Sequence, residues 1–319
     1  MPHELAICQV KAFGDLVIAC AVLDQAAPAH RERLILLVGD HLAELAAALE
    51  PAVAVLVVPT GEPGVPAVFD ARKAGWQRAL TSAFTLRRAV ARSSLPRHVP
   101  LLFDQVSLRE RWISGSHVAI AAARGADNIY SGWRAGLESR GVTFSPVADR
   151  AGEAAHAVAI CPGSRIAAKN LPMALVAGLV DTLVERGMAP RLVLLAGERP
   201  DLEASALPKE IVPRSFAAMI AAVRRADAVI GADSMPAHIA ERFGRPVYVF
   251  SPQPNLYWLP QSAFERNNWA LIGNGVASGH LIRFLDQLET SPLTSERTSA
   301  KGPRTPDHGP LDFGSENGR

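Results

Sequence analysis

Short apolar runs alternate with helical patterns twice along this chain, and that alternation restricts the fold more than any other feature. Residues 5–10, 34–39 and 53–58 read as buried strands, and apolar helical faces follow the first two at 16–25 and 41–49. Strands that are apolar throughout, joined by helices, predict a parallel sheet covered on both faces. A second series begins with the strand at 157–161. It continues with a helix over 172–186, a strand over 191–196 and a helix over 215–225 capped by Ser215. A strand at 228–230, a helix ending near Phe243-Gly244, a strand at 246–250 and a last helix over 279–288 complete it. In open sheets of this kind ligands lie beyond the carboxyl ends of the strands. The turns there are where chemistry is expected.

The two series divide the chain. Residues 1–150 form one expected domain and 151–290 a second, with the polar, turn-rich stretch 145–153 as the linker. The pieces between 76 and 140 are harder to order. Residues 76–92 suit a helix carrying Arg78, Arg87, Arg88 and Arg92. Residues 99–103 suit a strand weakened by Pro100, residues 117–120 suit either a helix or a strand, and residues 133–140 suit a helix. From residue 291 onward Ser, Thr, Pro, Gly and mixed charge dominate. Such a segment cannot offset an ordering cost of roughly 1–2 kcal/mol per residue, so 291–319 is expected to be a disordered tail.

Composition narrows the class. With 319 residues and 49% hydrophobic composition, the chain has room for two domains with separate cores. A net charge of +2 carries no strong field for nucleic acid, so no nucleic-acid partner is expected. The three cysteines, Cys8, Cys20 and Cys161, lie in apolar segments without metal-ligand spacing. That suits buried free thiols in a reducing compartment. No basic region precedes an apolar leader, and no uninterrupted apolar run has the length of a membrane span. The expectation is a cytoplasmic protein.

The most informative turn is Gly231-Ala232-Asp233-Ser234-Met235-Pro236-Ala237-His238. Gly231 frees the backbone, Ser234 suits an N-cap and Pro236 suits the first helical turn. A helix N-terminus favours anions through its free N–H groups and its dipole. Asp233 would repel an anion there unless it holds neighbouring hydroxyls; otherwise it simply caps the helix. No Gly-x-Gly-x-x-Gly follows the first strand, which argues against a dinucleotide oxidoreductase.

Three stretches together resemble the ADP-heptose:lipopolysaccharide heptosyltransferases, glycosyltransferase family 9. The first is Phe13-Gly14-Asp15-Leu16-Val17. The second is Pro162-Gly163-Ser164-Arg165 followed by Lys169-Asn170-Leu171-Pro172. The third is the Asp233 turn, continued by Gly244-Arg245-Pro246-Val247 and Phe250-Ser251-Pro252. The resemblance implies an α/β GT-B fold, two Rossmann-like domains with a cleft between them. It implies inverting, metal-independent transfer of a heptose or similar sugar from a nucleotide-diphosphate donor, ADP-heptose among them, to a bacterial surface glycan or lipopolysaccharide acceptor. No cofactor beyond the donor is implied.

Carried over by motif, Asp15 would be the general base on the acceptor hydroxyl; its alternative is a helix-capping Asp. Gly163 and Ser164 would offer N–H groups and a hydroxyl to the diphosphate at the head of a helix. Lys169 would bring the positive charge a metal supplies elsewhere, or is a solvated lysine. Asp233 would bind donor-sugar hydroxyls and Ser234 the phosphate. His238 would touch the diphosphate or pack structurally. Glu198, at a strand end, would hold ribose hydroxyls or stand free on the surface. Arg165 is a weaker candidate. The arginines of 76–92 face an anionic acceptor or the inner-membrane surface as a peripheral contact, or form a solvated basic face. Three positions depart from the family pattern: Met235 and Ser251 stand where Gly is usual, and Leu171 where Trp is usual. Met235 keeps open a non-catalytic GT-B subunit of glycan assembly. A nucleotide-sugar epimerase on the same fold would need further acid/base groups in the cleft.

Overall fold

The computed structural model describes residues 3–122, 125–145 and 156–290. Its first half carries five parallel strands: β1 (Leu5–Gln9), β2 (Leu34–Gly39), β3 (Ala54–Val58), β4 (Leu101–Phe103) and β5 (Ala119–Ala121), in the order β3-β2-β1-β4-β5. The second half carries β6 (Ala157–Cys161), β7 (Ala189–Leu195), β8 (Lys209–Val212), β9 (Ala228–Ala232), β10 (Val247–Ser251) and β11 (Trp269–Leu271). Their order is β11-β10-β9-β6-β7-β8, again all parallel. Each sheet starts in its middle, winds one way, then crosses back and winds the other. This is the doubly wound arrangement, and it opens a crevice where the winding reverses. In the first half that point lies between the ends of β1 and β4; in the second, between β6 and β9.

The central strands β1, β2, β9 and β10 are buried along their whole length. Two covered faces explain why they read as unbroken apolar runs. Strands β8 and β11 have no counterpart in the sequence reading. Both are edge strands, and their mixed runs Lys-Glu-Ile-Val and Trp-Ala-Leu are only partly buried, so neither period stands out. The helix Leu108–Ser114 was also not foreseen, although Ser107 and Glu110 form a capping box at its start. Gly231 sits inside extended β9 rather than in the turn. Its role is close approach, since a Cβ there would stand 2.9 Å from the Cys161 carbonyl oxygen.

Each half has a buried cluster of its own, and a third cluster spans both. One buried cluster joins Leu16, Val17 and Leu23 of the helix Phe13–Leu23 to Ile239 and Ala240 of the helix Met235–Arg242, and to Met219 and Val223 of the helix Phe216–Arg225. Polar links cross the same seam. Arg242, almost fully buried, donates to Asp24 and to the Leu49 carbonyl at 2.7 Å. Asn128 donates to the Leu259 carbonyl at 2.9 Å. All three cysteines are free and buried, as expected.

By length and composition the stretch Ala167–Glu185 passes for a membrane span. Within it the helix Met173–Glu185 buries Leu175, Val176, Leu179, Val180 and Leu183 in the second core. The expected linker, apart from Ser145, and the tail from 291 lie outside the described residues.

Candidate active site

Both crevices open into one cleft of about 1010 Å³ between the halves. All eight residues singled out in the sequence line it: Asp15, Gly163, Ser164, Lys169, Glu198, Asp233, Ser234 and His238. The doubly wound topology explains the convergence. Asp15 follows β1, Gly163 and Ser164 follow β6, Glu198 follows β7, and Asp233 and Ser234 follow β9. Each is therefore delivered to the same edge of its sheet.

Asp15 sits in the first turn of the helix Phe13–Leu23. The N-cap position belongs to Ala12, no side chain caps the helix, and the Ala12 backbone amide favours the ionised Asp15 carboxylate. Burial first, then the nearby Asp104 charge, push the Asp15 carboxyl up to about 6, with Lys11 opposing them. Lys11 itself pairs with Asp104 at 2.6 Å. A carboxyl raised to the edge of neutrality has the affinity for a proton that a general base needs.

On the opposite wall Lys169 Nζ pairs with Asp233 Oδ2 at 2.8 Å. Asp233 is buried, and it does not cap the following helix. Ser234 has extended backbone at the N-cap position, but its hydroxyl donates to the Gly163 carbonyl at 3.2 Å and makes no capping bond. Pro236 has no N–H and the Ala237 N–H bonds to the Ser234 carbonyl at 3.1 Å, so the Met235 N–H is the one left without a cap among the first three positions of the helix Met235–Arg242.

The Pro162–Lys169 loop departs from the expectation of an anion site at the head of a helix. A 3₁₀ turn at Ala167–Lys169 intervenes, and the helix begins only at Met173. The Ser164 N–H is already bound by Asn170 Oδ1 at 2.7 Å, and the Ser164 hydroxyl accepts from the Ile166 N–H at 3.2 Å. Gly163 is constrained in another way. A Cβ there would stand 2.8 Å from the Glu198 carboxylate, so only glycine lets that acid lie against the loop. Burial raises the Glu198 carboxyl, with Arg214 and Arg199 opposing.

His238, one turn into its helix, is buried, and burial lowers it to about 4. It is a neutral imidazole at pH 7. Its Nδ1 lies 3.0 Å from the hydroxyl of Tyr130, which belongs to the first half of the chain. A Cβ on Gly14 would come within 3.8 Å of its ring. His238 therefore joins the two walls directly behind the Asp15 turn. Among the described residues, no group of three His, Cys, Asp or Glu side chains is placed to hold a metal ion.

The sequence model described as glycosyltransferase family 9 (heptosyltransferase) matches residues 114–274, just over half of the chain. The chain belongs to glycosyltransferase family 9. It is a glycosyltransferase with the GT-B fold. E. coli heptosyltransferase WaaC with ADP is 15% identical, with 89% of this chain and 99% of that one covered at a TM-score of 0.60. The same enzyme with ADP-2-deoxy-2-fluoro heptose gives 14%, 89%, 99% and 0.56. A glycosyl transferase family 9 structure from Veillonella parvula DSM 2008 gives 14%, 91%, 96% and 0.56. No curated protein matches the sequence.

In this family 9 chain the departures from pattern are absorbed differently. Met235 opens its helix, lines the cleft and packs partly against the shared core. Leu171 is fully buried, and its carbonyl accepts from Arg199 at 2.9 Å. Ser251 is buried and donates to the Gln253 carbonyl at 2.8 Å. The cleft also contains residues that sequence reasoning missed. Lys11 and Asp104 follow β1 and β4, where the strand-end rule points, but β4 was too doubtful for the rule to be applied. Phe216 is another, packed at 5.0 Å across the seam against Phe13 of the first motif, while Arg165, the weaker candidate, lies over the Phe13 ring at 5.7 Å. Nothing in the sequence marks Tyr130 as the partner of His238.

Proposed function

We propose that this glycosyltransferase transfers a heptose from ADP-heptose, with inversion and without a metal, to a lipopolysaccharide-type acceptor on the cytoplasmic side of a bacterial inner membrane. The donor follows from two similar solved structures, which carry ADP and ADP-2-deoxy-2-fluoro heptose. The half formed by residues 1–150 takes the acceptor, and the half formed by 151–290 the donor. One observation carries the reading: a carboxyl raised to about 6 on one wall of the cleft faces a lysine–aspartate pair and an uncapped helix N-terminus on the other.

In this reading Asp15 takes the proton of the acceptor hydroxyl. The acceptor oxygen bonds to the anomeric carbon from the face opposite the leaving group. The bond from that carbon to the phosphate oxygen breaks, and its electron pair leaves with ADP. Lys169 and the Met235 N–H at the start of the helix Met235–Arg242 meet the developing charge. Asp233 and Ser234 border the same phosphate and sugar positions, and Glu198 accepts from the ribose hydroxyls. His238, neutral, contributes a hydrogen bond rather than a charge. The Ser164 hydroxyl is placed to contribute, whereas its N–H is occupied.

The test is single-turnover transfer from ADP-heptose. Asp15→Ala lowers the rate by roughly 10²–10⁴-fold while the thermal shift produced by ADP stays intact. Wild-type transfer in that variant removes Asp15 from the mechanism. Absence of any ADP shift in the unaltered protein removes the donor assignment.

A further inference from the structure

The helix Trp76–Arg92 buries Ala79, Ala83, Leu86 and Val90 and leaves an unusual opposite face. At successive steps of four residues it shows Trp76, Leu80, Phe84, Arg88 and Arg92, so an apolar ridge runs into a cationic one. Trp76 is 69% exposed, Leu80 50% and Phe84 57%. The neighbouring helix Leu108–Ser114 widens the ridge with Leu108 and Trp112, both exposed. Phe84 and Trp112 meet edge to face at 5.5 Å. Arg87 lies over the Trp112 ring at 4.3 Å and donates to the Trp112 carbonyl at 2.7 Å. The helix itself carries charge of one sign. From residue 71 to residue 103 the chain contains Arg72, Lys73, Arg78, Arg87, Arg88, Arg92 and Arg97 and no acidic residue. In a protein of net charge +2, that is a strong local concentration. Glu62 pairs with Arg78, Asp70 with Lys73, Asp104 with Lys11 and Glu110 with Arg109, which leaves Arg72, Arg88, Arg92 and Arg97 without an acidic partner among the described residues.

We propose that this face docks on the surface of an anionic lipid bilayer, with Trp76, Leu80, Phe84, Leu108 and Trp112 entering the headgroup boundary and the arginines meeting the lipid phosphates. Amphipathic aromatic side chains beside cations suit the bilayer boundary, where one end is apolar and the other wet. Cations beside an anionic lipid surface are drawn to it, and salt weakens the attraction. A second copy of this chain is a poor occupant, because two such faces would oppose like charges. A nucleic acid accounts for the arginines but leaves Leu80 and Leu108 without a partner. Arg109, on the same short helix as Leu108 and Trp112, lines the catalytic cleft. Docking therefore places the mouth of the first half beside the membrane, where a lipid-borne acceptor would enter. The surface claim does not depend on the donor assignment, since binding is measured without turnover.

The full chain is mixed with vesicles of phosphatidylcholine alone or with added phosphatidylglycerol, and binding is read by flotation. The expected result is at least tenfold stronger binding to the anionic vesicles, weakened by salt. Tryptophan fluorescence should be quenched by brominated acyl chains. R88E/R92E should lose at least tenfold in vesicle affinity with its melting temperature unchanged, and R88K/R92K should retain binding. W76S/F84S/W112S should keep salt-sensitive attraction but lose the bromine quenching. Equal binding to neutral and anionic vesicles overturns the proposal, as does unquenched fluorescence of the unaltered protein on anionic vesicles. Binding to RNA or to an acidic protein with no binding to vesicles overturns it too.

Discussion

Asp15 has to be ionised to take a proton yet basic enough to hold one, and its surroundings set that compromise. Burial and the Asp104 carboxylate raise it to about 6, while Lys11 restrains the rise. Only the ionised form acts, so kcat/KM should increase with pH up to about 6 and level off above it. Asp104→Asn removes a like charge and frees Lys11 from its pair. Both changes favour the carboxylate, so the acid limb of the pH–rate profile should move to lower pH. An acid limb that stays in place would separate Asp104 from the base. His238 is tuned the opposite way, and its stability consequence has the opposite sign to a raised base. Burial holds it down to about 4, so between its ordinary value of 6.5 and 4 the unfolded chain binds a proton that the folded chain does not. Its contribution to stability is therefore complete above 6.5 and is lost as the pH falls through that window. Tyr130→Phe should cost about 1–3 kcal/mol in denaturant unfolding by leaving the buried Nδ1 without its partner. An unchanged stability would show that the 3.0 Å contact is dispensable.

At the scale of elements, the loop after β6 is held by its own bonds rather than by a helix. Asn170 fixes the Ser164 N–H, Ser234 reaches the Gly163 carbonyl, and Glu198 lies against Gly163. A methyl at 163 would displace either the loop or the acid. Gly163→Ala is therefore expected to weaken ADP binding at least tenfold in calorimetric titration, with the fold retained. Unaltered ADP affinity would place the donor away from this loop. How much of each element could be read beforehand follows from burial. The central strands β1, β2, β9 and β10 were legible because both faces are apolar. The edges β8 and β11 were not, because a half-covered strand of three or four residues has no clear period. The arginines of the helix Trp76–Arg92 were visible in the sequence. Its apolar ridge became distinct only once Ala79, Ala83, Leu86 and Val90 were seen to face the core.

Taken whole, the molecule is two doubly wound sheets joined by a common buried cluster, and the cleft between them is the site. The seam is held by apolar packing and by a few buried polar bonds, of which Arg242 to Asp24 is the clearest. Asp24→Asn leaves a buried guanidinium with the Leu49 carbonyl and no counter-charge, and should destabilise the protein by about 1.5–3 kcal/mol. Chemical unfolding would check it. Chelation by EDTA should leave transfer unchanged, because Lys169 supplies the positive charge in the proposed mechanism; a rate restored only by added divalent cation would contradict that. The sequence alone determined the local terms: which runs are buried strands, where turns carry Gly-Asp, Gly-Ser and Asp-Ser, and that these motifs resemble those of family 9, whose sequence model covers the second and third of them. These depend on side-chain burial and backbone preference within a few residues of each other. The Lys169–Asp233 pair, Tyr130 against His238, the capture of the Ser164 N–H and the seating of Glu198 on Gly163 were decided only by the tertiary structure. Each joins groups from separate turns or separate elements, and only the packing of strands and helices in three dimensions brings them within bonding distance.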